Sequence, residues 1–106
     1  MAKYLFHASY SPEGLKGLQK DKAAGRHTAV RQVLESVGGK LECMYYALGE
    51  DDVVIIADLP DNVAASTLSL TVSASGLVRT RTTALLTIEE TDKALAATAR
   101  YRGPGT

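Results

Sequence analysis

The chain has 106 residues, 45% of them hydrophobic and 23% charged, the size and composition of one globular domain with a real core. Its 12 basic and 12 acidic side chains cancel, so no net field draws it to nucleic acid or to an anionic membrane surface. One cysteine excludes an internal disulfide and any paired-cysteine motif.

The opening "MAKYLFHASY" lacks the long apolar core and small-residue cleavage site of a secretory signal. No stretch approaches the roughly 20 apolar residues that span a bilayer, so the expected address is the cytoplasm. The same segment alternates: Tyr4, Phe6, Ala8 and Tyr10 share one pleat face, and Leu5, His7 and Ser9 the other. A first strand over residues 2–10 is predicted. Ser11 then caps, Pro12 suits the first helical position and Glu13 complements the positive helix end. Leu15 and Leu18, then Val30, Val33, Leu34 and Val37, carry a helical stripe to residue 37. Gly17 and Gly25 each weaken it by up to about 1 kcal/mol relative to Ala, which predicts a loosened or broken centre near "KAAGRH". Gly38 and Gly39 end it.

"KLECMYYAL" (40–48) and "DVVIIADL" (52–59) read as the second and third strands. "GED" between them is hairpin length, with Gly49 free to take a positive φ. The third strand is so apolar that both faces should be covered. Asp61 or Asn62 caps a second helix, which packs through a face running from Val63 and Ala64 past Leu68 and Leu70 to Val72 and Ala74, and Gly76 stops it. "LVRTRTTALLT" (77–87) is a β-branched fourth strand. Thr87 and Glu90 stand in capping-box spacing at the start of a short terminal helix. One domain therefore covers residues 1–100, and "YRGPGT" (101–106) reads as a flexible tail.

The order β-α-β-β-α-β plus a helix predicts an α+β, ferredoxin-like antiparallel sheet of order 4-1-3-2 with helices on one face. The other face still carries Leu, Val and Tyr on several strands, too apolar to leave in water. A second copy is the simplest cover, and two such sheets face to face make a dimeric α/β barrel.

These pieces resemble the GYD domain family, within the ferredoxin-like dimeric α/β-barrel group. The likeness spans residues 3–102 and is carried by "ASYSPEGLKGL" (8–18), "GGKLE" (38–42), "GEDDVVIIADLPD" (49–61) and "SLTVSASGLVRTRTTALLT" (69–87). Gly49 and Asp52 fit the ends of the family's Gly-Tyr-Asp motif, with one residue added between them and Asp51 where the tyrosine should be. A role that needs a phenol at that turn does not carry over. The resemblance implies a fold and an assembly but no reaction, because related barrel families include cofactor-free monooxygenases, haem-active enzymes and stress-induced proteins.

Candidate site residues come from four groups. Among the acidic residues Glu50, Asp51, Asp52 and Asp58, the last two lie about 20 Å apart along an extended chain, and the spacing is not that of a calcium loop. They read as the rim of a buried strand, with Asp52 the one that could bond back into the hairpin or reach a cavity mouth. His7, in a central strand, is a candidate general base. His27 lacks metal-ligand spacing to it, so no metal is expected. Cys43 reads as a small buried hydrophobe. Tyr4, Tyr45 and Tyr46 suit a cavity wall or an interface, with Tyr45 and Tyr46 facing opposite ways. Arg79 and Arg81 share a face next to His7 and would receive an anionic or carbonyl-bearing ligand. No phosphate loop, nucleophile elbow or HExxH is present, and no cofactor can be named.

The leading expectation is a homodimer or higher homo-oligomer that holds a small apolar or aromatic molecule between sheet and partner or helices. Its pocket should measure a few hundred Å3 and be lined by residues such as Tyr4, His7, Tyr45 or Tyr46, and Arg79. The rivals are a cofactor-independent oxygenase or isomerase with His7 as base, and an assembly module with a filled barrel.

Overall fold

A computed structural model describes the whole chain, Met1–Thr106. The elements run β1 (Ala2–Tyr10), α1 (Pro12–Ser36), β2 (Lys40–Tyr46), β3 (Val53–Leu59), α2 (Asn62–Ala74), β4 (Val78–Leu85) and α3 (Ile88–Ala96). The strands form one antiparallel sheet of order β2-β3-β1-β4, the ferredoxin-like order predicted, read from the other edge. No helix is long and apolar enough to cross a membrane.

Strand alternation builds the core. Tyr4, Phe6 and Ala8 of β1 and Val53, Ile55, Ala57 and Leu59 of β3 are buried on one face of the sheet. Leu34 of α1 and Ala65 and Leu68 of α2 close over them. Leu34, Leu59 and Val53 are the largest side chains sealed completely.

Local chemistry sets the helix ends. The Ser11 hydroxyl accepts the Gly14 amide at 3.1 Å, and the Ser11 amide bonds the Leu77 carbonyl at 2.9 Å, tying the start of α1 to the strand beside it. Gly14 permits that approach, because a Cβ there would overlap the Leu77 carbonyl. Asp61 caps α2 through the Ala64 amide at 2.9 Å. Thr87 and Glu90 make both bonds of the predicted capping box. Gly38 leaves α1 at φ 79°, the left-handed position that favours glycine.

The predicted weakness in α1 falls at Lys22, whose φ of 66° and ψ of 167° interrupt the helix. That region of backbone space is nearly reserved for glycine, and a side chain held there costs of order 1–3 kcal/mol. After the break the helix restarts with Arg26, Val30, Val33, Leu34 and Val37 in helical register toward the sheet.

Two expectations need correction. Helix α2 packs through Ala64, Ala65, Leu68 and Val72, whereas Val63 and Leu70 are 73% and 72% exposed. The buried set is narrower because small Ala64 and Ala65 let the helix sit close to the sheet, which turns Val63 and Leu70 outward. The β2–β3 connection is also no three-residue turn. It runs from residue 47 to 52, and Gly49 is not among the positive-φ glycines. The loop closes through the Ala47 amide on the Asp52 carbonyl at 2.8 Å, so its two aspartates are free to bond elsewhere.

Helix α3 buries none of its residues. With extents of 57 × 32 × 24 Å and a radius of gyration of 16.9 Å, against about 13 Å for a compact chain of this length, the molecule carries its C-terminal segment as an arm beyond the sandwich.

Candidate functional site: two faces of one sheet

The register places side chains in rows across the open face. Tyr45, Val54, His7 and Arg81 form one row, and Cys43, Ile56, Leu5 and Thr83 the next. Lys40, Asp58, Lys3 and Leu85 form a third. An apolar band through Tyr45, Val54, Ile56 and Leu5 is thus bounded by charges. At one end Lys3 bridges Asp58 at 2.8 Å and Glu42 at 2.9 Å. Those two partners, Asp58 first, raise the Lys3 ammonium above its usual range.

The other end holds the predicted convergence of His7 and Arg81, joined by a residue read from sequence as a turn former. Asp51 reaches back from the 47–52 loop over β1. It accepts the Ser9 hydroxyl at 3.0 Å on one oxygen and the Arg81 guanidinium on the other. The Arg81 hydrogen bond is the main reason its carboxyl lies below the usual carboxylate range, with Ser9 and the Arg81 and His7 charges acting in the same sense and desolvation opposing. The Asp51 side chain keeps only 15% of its exposure, against 66% for Arg81. His7 is half-buried, and its Nδ1 is sealed from solvent without any hydrogen-bond partner. A buried imidazole nitrogen left unpaired is costly. Arg79 stands opposite Ser9 and is exposed.

Asp52 turns elsewhere. Its carboxylate accepts the Tyr10 amide at 2.9 Å, and its own amide bonds the Ala8 carbonyl at 2.9 Å. It locks the loop to the end of β1 and contributes nothing to the His7 group.

The helix-covered face is different in kind. Between the sheet and α1 and α2 lies a cavity of about 80 Å3. Its floor is Phe6, Met44 and Ile55, and Val30, Val33 and Val72 form much of its roof. It adjoins a wetter cleft of about 370 Å3 running along α1 past Glu13 and Asp21. Arg26 and Tyr10 line both spaces and so stand at the passage between them. The Tyr10 and Tyr46 hydroxyls are 3.2 Å apart. Burial, reinforced by the Tyr10 hydrogen bond and opposed by the Arg26 charge, pushes the Tyr46 phenol far above its ordinary range. The Arg26 Nε is buried without a partner, and its guanidinium meets only Asp21, at 3.8 Å.

The structure therefore divides the sequence-predicted residues between two sites. His7, Tyr45, Arg79 and Arg81 share the open face. Tyr4 and Tyr46 lie on the helix side, where Tyr4 is 3% exposed and donates to Asn62 Oδ1 at 2.6 Å. No one pocket contains Tyr4, His7 and Arg79 together, because adjacent residues of a strand face opposite ways. The residues that sequence reasoning missed are Arg26, Tyr10 and Asp51. Arg26 had a signal: it falls in helical register with Val30 and Val33, a cation on an apolar stripe.

The model of the GYD domain matches residues 4–95, nearly the whole chain. The chain belongs to the GYD domain family. No curated protein and no solved structure matches it. In this GYD domain the 47–52 loop is anchored by the Asp51 carboxylate, which accepts from Ser9 and Arg81.

Proposed function

We propose that this GYD-domain protein is a homodimer that binds a small apolar molecule, each subunit holding it in the cavity between sheet and helices. The cavity is the observation that supports this reading best. Protein interiors pack as densely as organic crystals, with few voids larger than a water, yet about 80 Å3 stays open here behind an apolar wall. Its size decides what fits. It is well under the few hundred Å3 of a drug-sized site, and about half the 150 Å3 that holds a benzene. A short aliphatic body fits better than an aromatic ring.

The dimer is supported by the open face. Leu5, Val54, Ile56 and Tyr45 make a continuous apolar band across three strands, and none of the three helices covers it. A second copy would remove that band from water. Face-to-face packing of two such sheets is also what the likeness to dimeric α/β-barrel proteins implies.

Methyl NMR titration of the full chain with xenon and with 3-methylbutan-1-ol tests the binding reading. Shifts confined to the methyls that line the cavity, those of Val30, Val33, Met44, Ile55 and Val72 among them, are expected. Unchanged methyls at saturating gas and alcohol would refute it. Light scattering tests the dimer, with twice the chain mass expected.

A second reading, an enzyme that uses His7 as base, is favoured by the place of His7 on the open face beside Arg81 and Asp51. Native mass spectrometry of protein purified from its host separates the two readings. A retained intact small molecule fits the binding protein, and a substrate-to-product conversion lost in His7→Ala fits the enzyme.

A further inference from the structure

We infer that the ligand of the cavity is a short-chain monocarboxylate, its hydrocarbon body in the chamber and its carboxylate held at the mouth by Arg26 and Tyr10. The inference rests on the reading above that the cavity takes a ligand, and it adds the chemical class.

Three observations converge. The first is the cation. Arg26 occupies an inward position of α1, in register with Val30 and Val33, where an apolar residue would be expected, and its Nε is buried with no partner. A guanidinium presents a fixed fork of donors that matches a carboxylate and offers no acceptor. Its outer nitrogens meet only Asp21, at 3.8 Å, so the guanidinium on the shared lining of the two spaces still has donors to give an anionic oxygen.

The second is the phenol pair. Two hydroxyls 3.2 Å apart can satisfy each other only once, since one donates and the other accepts. That leaves one O–H free to donate outward. Tyr46 stays protonated at any physiological pH, because burial first and the Tyr10 bond second raise its phenol far above its usual range. A protonated Tyr46 can donate to Tyr10, which leaves the Tyr10 O–H and the outer N–H groups of Arg26 as the donors on the lining of both spaces.

The third is the division of space. An apolar chamber of about 80 Å3 adjoins a more polar cleft of about 370 Å3, and Arg26 and Tyr10 are the polar residues, beside Val33, Val72 and Val78, that line both. An amphiphile with a body of about three to five carbons fills the first and keeps its head at the boundary. A dicarboxylate would bury a second charge against Phe6 and Val72, and a long fatty acid would outgrow the chamber. Asp21, 3.8 Å from the guanidinium, is the competitor that the ligand displaces. An ion pair of that length at the surface holds little energy.

The test compares 3-methylbutanoate with its neutral analogue 3-methylbutan-1-ol by methyl NMR titration of the full chain at neutral pH. The carboxylate should bind about tenfold more tightly, the size of one charge-assisted hydrogen bond at a partly solvated site. Arg26→Gln should abolish that preference. Asp21→Asn should strengthen carboxylate binding alone, by a few-fold. If Arg26→Gln melts too early to assay, Tyr10→Phe decides instead, with the preference for carboxylate over alcohol expected to fall several-fold. If alcohol and carboxylate bind equally, or if the preference survives Arg26→Gln (or Tyr10→Phe where that variant decides), the carboxylate assignment is overturned while the cavity reading stands. If neither compound nor xenon perturbs the cavity methyls, the proposed function itself fails.

Discussion

Residues of β1 that differ by one position live in different worlds. Tyr4, Phe6 and Ala8 lie under two helices, at most 7% exposed. Leu5, His7 and Ser9 stand between the same strands, with the same backbone bonds, and stay half-open. The first face is finished apart from one cavity. The second carries an apolar band with ion pairs at both ends, the makings of an interface still lacking its other half. The period-two geometry of a strand makes the contrast possible, since one sheet serves two unrelated surfaces without compromise. Chemistry on one side can then change with little effect on the other.

Mutations on the two faces should fail in different ways, and the largest effect belongs to the finished side. Leu34→Ala removes a side chain that is 1% exposed at the centre of the core, and should cost about 2–5 kcal/mol in urea unfolding. On the open side, Ile56→Asp puts a charge into the middle row next to Leu5 and Cys43. A lone subunit should tolerate it, because the residue is only half-buried there. A dimer should not. Light scattering is expected to fall from two chain masses to one while the circular dichroism of the subunit is kept. An unchanged dimer mass would mean that the second copy docks elsewhere, and the two faces would then differ less than proposed.

Much of this contrast was readable in advance. The alternation of β1 assigned Tyr4, Phe6 and Ala8 to one face and His7 to the other, and the strand order placed Arg81 across from His7. The caps at Ser11, Asp61 and Thr87 were legible because each depends on a short local pattern. What escaped depends on geometry that periodicity does not carry. Helix α2 offered more apolar residues than one face can hold, and close packing on two alanines chose Leu68 and Val72 over Val63 and Leu70. Asp51 looked like a turn residue, and only the path of the 47–52 loop brings it over Ser9 and Arg81. Arg26 lay in a segment weakened by Gly25, which masked its register with the valines behind it. Tyr4 could not share a pocket with His7 once the face of each was assigned, a constraint the alternation already contained.

The loop that closes over the open face offers smaller effects that still sharpen the comparison. Asp52 ties that loop to the rim of β1 through the Tyr10 amide. Asp52→Ala should leave this donor without its partner, cost about 1–3 kcal/mol, and speed hydrogen exchange at the Tyr10 amide while the amides at the far end of β1 keep their rates.

The smallest effect is the most specific to pH. Asp51 is ionised in the folded protein to a lower pH than in the unfolded chain, chiefly because of Arg81. A carboxylate with a depressed folded pKa contributes stability that is present above its unfolded value, about 3.9, and disappears as pH falls through the folded one. Arg81→Gln should therefore narrow the gap between those two values. Wild type should exceed the variant by a small constant margin from neutrality down to about pH 5, and the two should converge at about pH 2. Arg81 is 66% exposed, so the margin should also shrink as salt is raised, as an exposed pair requires. If wild type and variant lose stability in parallel between pH 5 and pH 2, Arg81 is not what depresses Asp51. The Ser9 hydroxyl would then be the partner that holds the loop over His7, and Ser9→Ala would be the variant that flattens the acid limb.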